Sequence, residues 1–176
     1  MPADGRAARW AAIDPEALWA PVRLYFPTPP ARVLEIGAGS GRDADWFEQL
    51  GFAVTCVEPD RALWPKTADW TDCSLPQLSG LAGSFDLIVL SAVWHVLDEA
   101  HWGASLDRLV RMAQPSGRMI MSLRAPPFKN PDTLVALARL SGWQCRAQTR
   151  QPSVQSGNRM AGVMWDWCVF ERVASQ

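Results

Sequence analysis

The sequence predicts an α/β domain: a doubly wound, mostly parallel seven-stranded sheet, helices on both faces, and an antiparallel C-terminal hairpin. Three observations carry this. Short apolar runs alternate with amphipathic helical stretches over residues 33–140, the pattern of right-handed β-α-β crossovers. The first run breaks into a glycine-rich turn, Gly37 to Gly41, before its helix. The last two strands have no helix between them, so they pair as a hairpin at one edge. With 176 residues, 48% of them hydrophobic, one domain can bury a core without disulfides or a structural metal. Residues 1–30 read as an N-terminal helical lead and 31–176 as the core.

In the lead, Asp14-Pro15 opens a helical stretch with Leu18, Val22 and Tyr25 on one face, and Pro27, Pro29 and Pro30 end it. The first strand covers 33–36. A helix over 42–50 follows, with Trp46, Phe47 and Leu50 on one side and Gly51 as its stop. The second strand, 52–57, ends at Glu58-Pro59-Asp60. Pro65 and Pro76 limit any helix between 61 and 83, and residues 70–73 are expected as a short third strand. The apolar run 85–90 is a central strand, ended by Ser91 to His95. Trp102, Leu106, Leu109 and Val110 set the inner face of a helix over 99–113. Pro115-Ser116-Gly117 reads as a turn before the strand 118–123. Asn130-Pro131-Asp132 begins a helix over 133–140, with Leu134, Leu137 and Ala138 inward. Strands 143–148 and 163–172 close the chain. Val163, Trp165, Trp167 and Val169 alternate along the last one, and 151–160 reads as an exposed loop.

Charge excludes several partners. Lys plus Arg is 17 and Asp plus Glu is 18, so a net charge of -1 supplies no field for nucleic acid or an anionic membrane. No apolar run reaches the roughly 20 residues of a membrane helix, and the Ala- and Arg-rich start does not resemble a signal peptide. Cys56, Cys73, Cys145 and Cys168 form no C-x-x-C clamp and read as free thiols. His95 and His101 lack second ligands at metal spacing, so no metal is expected. Together these features lead to a cytoplasmic expectation. In open α/β sheets a ligand lies outside the carboxyl ends of the strands, where strand order reverses. That rule selects residues 37–41, 58–60, 72–74 and 91–95.

The loop Glu35-Ile36-Gly37-Ala38-Gly39-Ser40-Gly41 has the spacing G-x-G-x-G. A dinucleotide loop wants G-x-G-x-x-G or a final Ala, and Arg42 stands at that last position. Preceded by Glu35, the loop resembles that of the class I S-adenosylmethionine-dependent methyltransferases, whose fold is a Rossmann-like seven-stranded sheet. The resemblance extends over 33–172. Glu58 lies 21 positions after Gly37, where the family places a carboxylate for both ribose hydroxyls. Asp72-Cys73-Ser74-Leu75-Pro76 is similar to its acidic stretch beside the adenine, 85–89 to its fourth strand, and Pro115-Ser116-Gly117 to its Pro-Gly-Gly turn with Ser replacing the first Gly.

The resemblance implies S-adenosylmethionine as cofactor and S-adenosylhomocysteine as product. It carries cofactor binding to Glu35, Gly37, Ala38, Gly39 and Gly41, to Glu58 and Pro59, and to Asp72, Cys73 and Ser91. Glu35 would face the amino group, and the loop amides and helix start would take the carboxylate. Arg42 is either a helper there or an exposed first-turn side chain. His95 is the candidate general base; its other reading is a pocket wall or helix cap. Tyr25 and Trp94, with Trp10 and Trp19, are candidate aromatic surfaces, and Arg124 is the candidate for an anionic acceptor. Trp165 and Trp167 read as core, His101 as surface.

Short loops and the absence of an acceptor-specific motif imply a small-molecule acceptor in a pocket built from residues 10–26, 91–98 and 124–130. Two other readings stay open. One is a non-catalytic S-adenosylmethionine-binding module whose partner docks on an exposed Trp-rich strand at 163–172. The other is an NAD-dependent oxidoreductase, which Glu58 fits and Arg42 does not.

Overall fold

The computed structural model describes residues 3–65, 70–125 and 131–173. Its strands are β1 (Arg32–Ile36), β2 (Ala53–Val57), β3 (Phe85–Leu90), β4 (Ala113–Arg124), β5 (Trp143–Pro152) and β6 (Met164–Arg172). They form one sheet in the order β2-β1-β3-β4-β6-β5. β2, β1, β3 and β4 run parallel, and β6 lies antiparallel between β4 and β5. The helices are α1 (Ala3–Ala11), α2 (Pro15–Trp19), α3 (Arg42–Gln49), α4 (Trp102–Met112), α5 (Pro131–Leu140) and α6 (Ser156–Met160). After β2 the chain returns past β1 to place β3 on its other side. The strand order therefore reverses between β1 and β3, and a crevice opens at their carboxyl ends.

β1 and β3 are buried almost throughout because both faces are covered. Successive residues point to opposite faces. Leu34 and Ile88 join a core with Leu106, Leu109 and Leu134 from α4 and α5. Val33 and Leu87 join the other core, with Trp19 and Val22 from the lead and Phe47 from α3. The Trp19 ring lies 5.4 Å from Phe47 and 5.2 Å from Trp167, so the lead is packed into the core. No helix among the described residues is long and apolar enough to cross a membrane.

Four details depart from expectation. The sheet has six strands rather than seven: the expected strand at 70–73 is a single parallel bridge between Thr71 and Val57. Its ladder stops because the Cys73 amide donates to the Thr71 carbonyl (3.0 Å), bending the chain two residues on. The expected turn at Pro115-Ser116-Gly117 is instead an irregularity inside β4, where pairing shifts between Phe85 and Leu87. A Cβ on Gly117 would lie 2.8 Å from the Gln114 carbonyl oxygen, so only glycine fits that fold-back.

The third departure is the stretch 151–160, which extends β5 to Pro152 and then forms α6. Bonds from the Ser153 amide to Val163 O and from the Val163 amide to Asn158 O, both 2.9 Å, close it. Last, the Trp-rich strand is not an edge. β5 covers β6, and Asp166 to Phe170 are buried, which removes the open docking face. Part of the expected pocket loop at 124–130, residues 126–130, lies outside the described residues.

Phe47 is fully buried and touches the rings of Trp19, Phe26, Trp46 and Phe52. Phe47→Ala lowers folding stability by about 3–5 kcal/mol, read as a lower urea midpoint.

Candidate functional site

At the crevice lies a cleft of about 930 Å³. The loop after β1, the ends of β2 and β3, the lead and the β5–β6 connection wall it. The β1 loop is pinned on two sides. The amides of Gly37 and Ala38 both donate to the Val57 carbonyl at the end of β2 (2.7 and 3.1 Å). Gly37 has φ 75°, and a Cβ there would lie 2.4 Å from Val93 Cγ2, so any side chain would collide with the β3 turn. The Gly39 amide donates to Glu58 Oε2 (3.0 Å), and the Asp60 amide donates to Glu58 Oε1 (2.9 Å). Glu58 is itself buried. A carboxylate has about four acceptor sites, so two remain for a ligand.

Glu35 is buried and lines the same wall, with the Cys56 thiol 4.0 Å from its Oε2. Burial pushes its carboxyl well above the usual carboxylate range, and Asp43 pushes in the same direction while Arg42 opposes it. Burial and then Glu35 raise the Cys56 thiol as well, so this thiol is held protonated. Arg42 lines the cleft but is not exposed, and its guanidinium is engaged. Its guanidinium grips Asp43 (2.8 and 2.5 Å) and donates to the Trp10 carbonyl (3.0 Å). Trp10 in turn lies over Gly39, 3.5 Å from where a Cβ would be. The lead is thereby fastened onto the glycine loop.

On the β3 side, the chain leaves the strand through Ser91 and Ala92. Ala92 is in the left-handed region (φ 59°), and its amide donates to the buried Ser122 hydroxyl on β4 (2.9 Å). This kink sends the two following residues of interest in opposite directions. Trp94 turns into the core against Trp102, and its indole N–H has no hydrogen-bond partner among the described residues. His95 turns to the cleft, where its ring meets Trp165 edge to face at 5.5 Å.

Of the anticipated cofactor residues, Glu35, Gly37, Ala38 and Gly39 line the cleft, as do Glu58, Pro59, Cys73 and Ser91. Gly41 and Asp72 do not. Gly41 begins α3 with φ 83°, against Pro65 and Trp70, and Asp72 turns outward to Arg61 (2.7 Å). Of the residues anticipated for the acceptor or as aromatic surfaces, His95 and Trp10 line the cleft, and Trp19 is buried in the core. Tyr25 packs in the core with the lead, Trp94 is buried, and Arg124 lies on β4 opposite Trp165. The β5–β6 connection, not expected at the site from the sequence, brings Gln151, Gln155, Asn158 and Arg159 to the cleft. Trp167 is core as expected, and Trp165 packs against that core, while both also line the cleft. A signal existed: an antiparallel last strand begins at the end of the sheet where the parallel strands finish, so Trp165 had to lie near the crevice. No group of three or more His, Cys, Asp or Glu among the described residues could hold a metal.

A profile described as a methyltransferase domain matches residues 10–168. The chain belongs to the class I S-adenosylmethionine-dependent methyltransferases. Uncharacterized methyltransferases of Mycobacterium tuberculosis and Mycobacterium bovis are 28% identical over 104 residues, 53% of this chain and 40% of theirs. The match thus spans less than half of those relatives. The fold of this family member is similar to that of the 1,6-didemethyltoxoflavin N1-methyltransferase of Burkholderia thailandensis, solved with 1,6-didemethyltoxoflavin and S-adenosylhomocysteine (TM-score 0.74, 23% identity, 97% of this chain and 83% of that one). It is similar also to a TehB-like methyltransferase of Corynebacterium glutamicum (TM-score 0.70, 22% identity, 97% of each chain). The N-methyltransferase NodS of Bradyrhizobium japonicum, in complex with S-adenosylhomocysteine, shares the fold at 16% identity (TM-score 0.69, 97% and 98% covered).

Because the folded methyltransferase domain holds a proton on Glu35 that the unfolded chain releases, this residue's contribution is fully present below the usual carboxylate range and is lost as pH rises toward the folded value. Glu35→Gln removes that loss. Its stability advantage over the native chain grows with pH across this window and then levels, as measured by melting temperature against pH.

Proposed function

We propose that this chain is an S-adenosylmethionine-dependent methyltransferase acting on a small molecule. The observation that carries the reading is Glu58: a buried carboxylate at the end of β2 whose oxygens hold the Gly39 and Asp60 amides and keep acceptor capacity toward the cleft. The residues present fit the donor. Glu35, Asp43, Glu58 and Asp60 line one part of the cleft and suit a ligand carrying an amino group and a sulfonium. The amides of Gly37, Ala38 and Gly39 are spent on Val57 and Glu58, so the start of α3 is what the chain offers a carboxylate. When bound, S-adenosylmethionine supplies an electrophilic methyl carbon and leaves as S-adenosylhomocysteine.

The chain's own residues then align and exclude water. Glu58 orients the ribose, and Cys73 with Leu75 walls the side beyond it. His95, beside Trp165 at the far side of the glycine loop, takes the proton that the acceptor's O–H, N–H or S–H releases. The cleft volume suits a cofactor and a small acceptor, within the roughly 300–1,000 Å³ of small-molecule sites.

Isothermal titration tests the reading. S-adenosylmethionine and S-adenosylhomocysteine both bind and NAD does not. Glu58→Ala weakens both sulfur ligands by about a hundredfold or more, since it removes charged acceptors of two hydroxyls. NAD binding with no sulfur ligand bound would sink the proposal.

A further inference from the structure

We propose that the methyl acceptor is an aromatic anion, a planar ring bearing a carboxylate or similar oxyanion, with the ring against Trp165 and His95 and the charge against Arg159. The inference rests on the methyltransferase reading and deepens it. Its first support is the division of charge in the cleft. The lining carboxylates Glu35, Asp43, Glu58 and Asp60 all come from the β1–α3 stretch and from the end of β2. Among the described residues, the lead, the turn after β3, β6 and the β5–β6 connection bring no carboxylate to the lining. The strand order sets these two walls apart, with β2 at one edge of the sheet and β5 at the other.

The second support is a cation without an acid. Two arginines line the cleft. Arg42 is committed to Asp43 and the Trp10 carbonyl. Arg159, on α6, is an exposed residue that lines the cleft, and its guanidinium has no hydrogen bond or ion pair to any described residue. The carboxylate of Asp166 on β6 is held by Arg150 at 2.7 and 2.9 Å. The connection does not need Arg159 for its shape, because Asn158 and Gln155 bond each other (2.5 Å) and Ser153 and Val163 close the backbone. A guanidinium lining a cleft with no acid on its side matches an oxyanion, which it takes with two parallel N–H donors.

The third support is the apolar surface next to it. Residues 166–170 of β6 are buried, whereas Trp165 keeps part of its ring open to the cleft, beside His95 and across the ladder from Gln151. Gln151 and Trp167 line the cleft beside that ring. Flat aromatic faces with apolar edges favour a planar ring over a flexible chain.

The test titrates the S-adenosylhomocysteine-saturated protein with 3-hydroxy-2-naphthoate, 4-hydroxybenzoate and 2-aminobenzoate, each beside its neutral carboxamide, and with lactate as an aliphatic acid. Each aromatic acid binds about tenfold tighter than its carboxamide, and Arg159→Gln closes that gap while leaving the carboxamides within about twofold. Trp165→Leu weakens acid and carboxamide alike, by about tenfold. Carboxamides as tight as the acids, or acids untouched by Arg159→Gln, overturn the anionic part. Lactate as tight as the aromatic acids overturns the ring. Binding of S-adenosylhomocysteine with no response to any aromatic acid overturns the acceptor class and leaves the parent reading standing, whereas no S-adenosylhomocysteine binding overturns both.

Discussion

The arrangement of the cleft depends on one steric constraint, the approach of the β1 loop to the turn after β3. Gly37 has no side chain, and Val93 fills the space where one would be. At the same time the Gly37 and Ala38 amides are tied to the Val57 carbonyl. Three strand ends are thus locked to a single short loop. Once that loop is fixed, Glu58 can reach the Gly39 amide, Glu35 is enclosed, and the strand-order reversal becomes a shaped cavity rather than an open groove.

Enclosure has an electrostatic result. Three buried carboxylates, Glu35, Asp43 and Glu58, gather where water is scarce, with the exposed Asp60 beyond them, and the cation among the lining residues on this side, Arg42, is bound to Asp43. A buried carboxyl beside other acids is costly to ionise, so this wall favours a cationic guest that supplies the missing charge. The opposite wall has the reverse character, with rings, amides and one arginine. The cleft is therefore polarised along its length.

The sequence made legible the parts of this structure that are local. The alternation of strands and helices, the glycine loop, Glu58 and the nearly continuous burial of β1 and β3 depend on neighbours a few residues apart, and each lies where the pattern put it. What was not legible depends on tertiary geometry. The 70–73 strand shrank to a bridge because a tight turn at Cys73 carries no strong composition signal. Trp94 and His95 are consecutive, and only the left-handed Ala92, held by Ser122 from another strand, decides which faces the cleft. The polar stretch 151–160 looked like a solvated loop, and it is largely exposed, but hydrogen bonds among Ser153, Gln155, Asn158 and Val163 fold it into α6 at the side of the cleft. The same geometry moved the cleft arginine from position 124 to position 159.

The lead has a further consequence. Its Trp10 rests on the glycine loop, its carbonyl is gripped by Arg42, and its Trp19 is seated between Phe47 and Trp167. The roof is anchored at two points by indoles and is not woven into the sheet's hydrogen-bond ladder. The stretch that closes the chamber from above is thus written apart in the sequence from the stretch that forms its floor. A change of guest shape could be encoded by exchanging the side chains of Ile13, Ala17 and Leu18, between the two anchors, without rewriting a single strand.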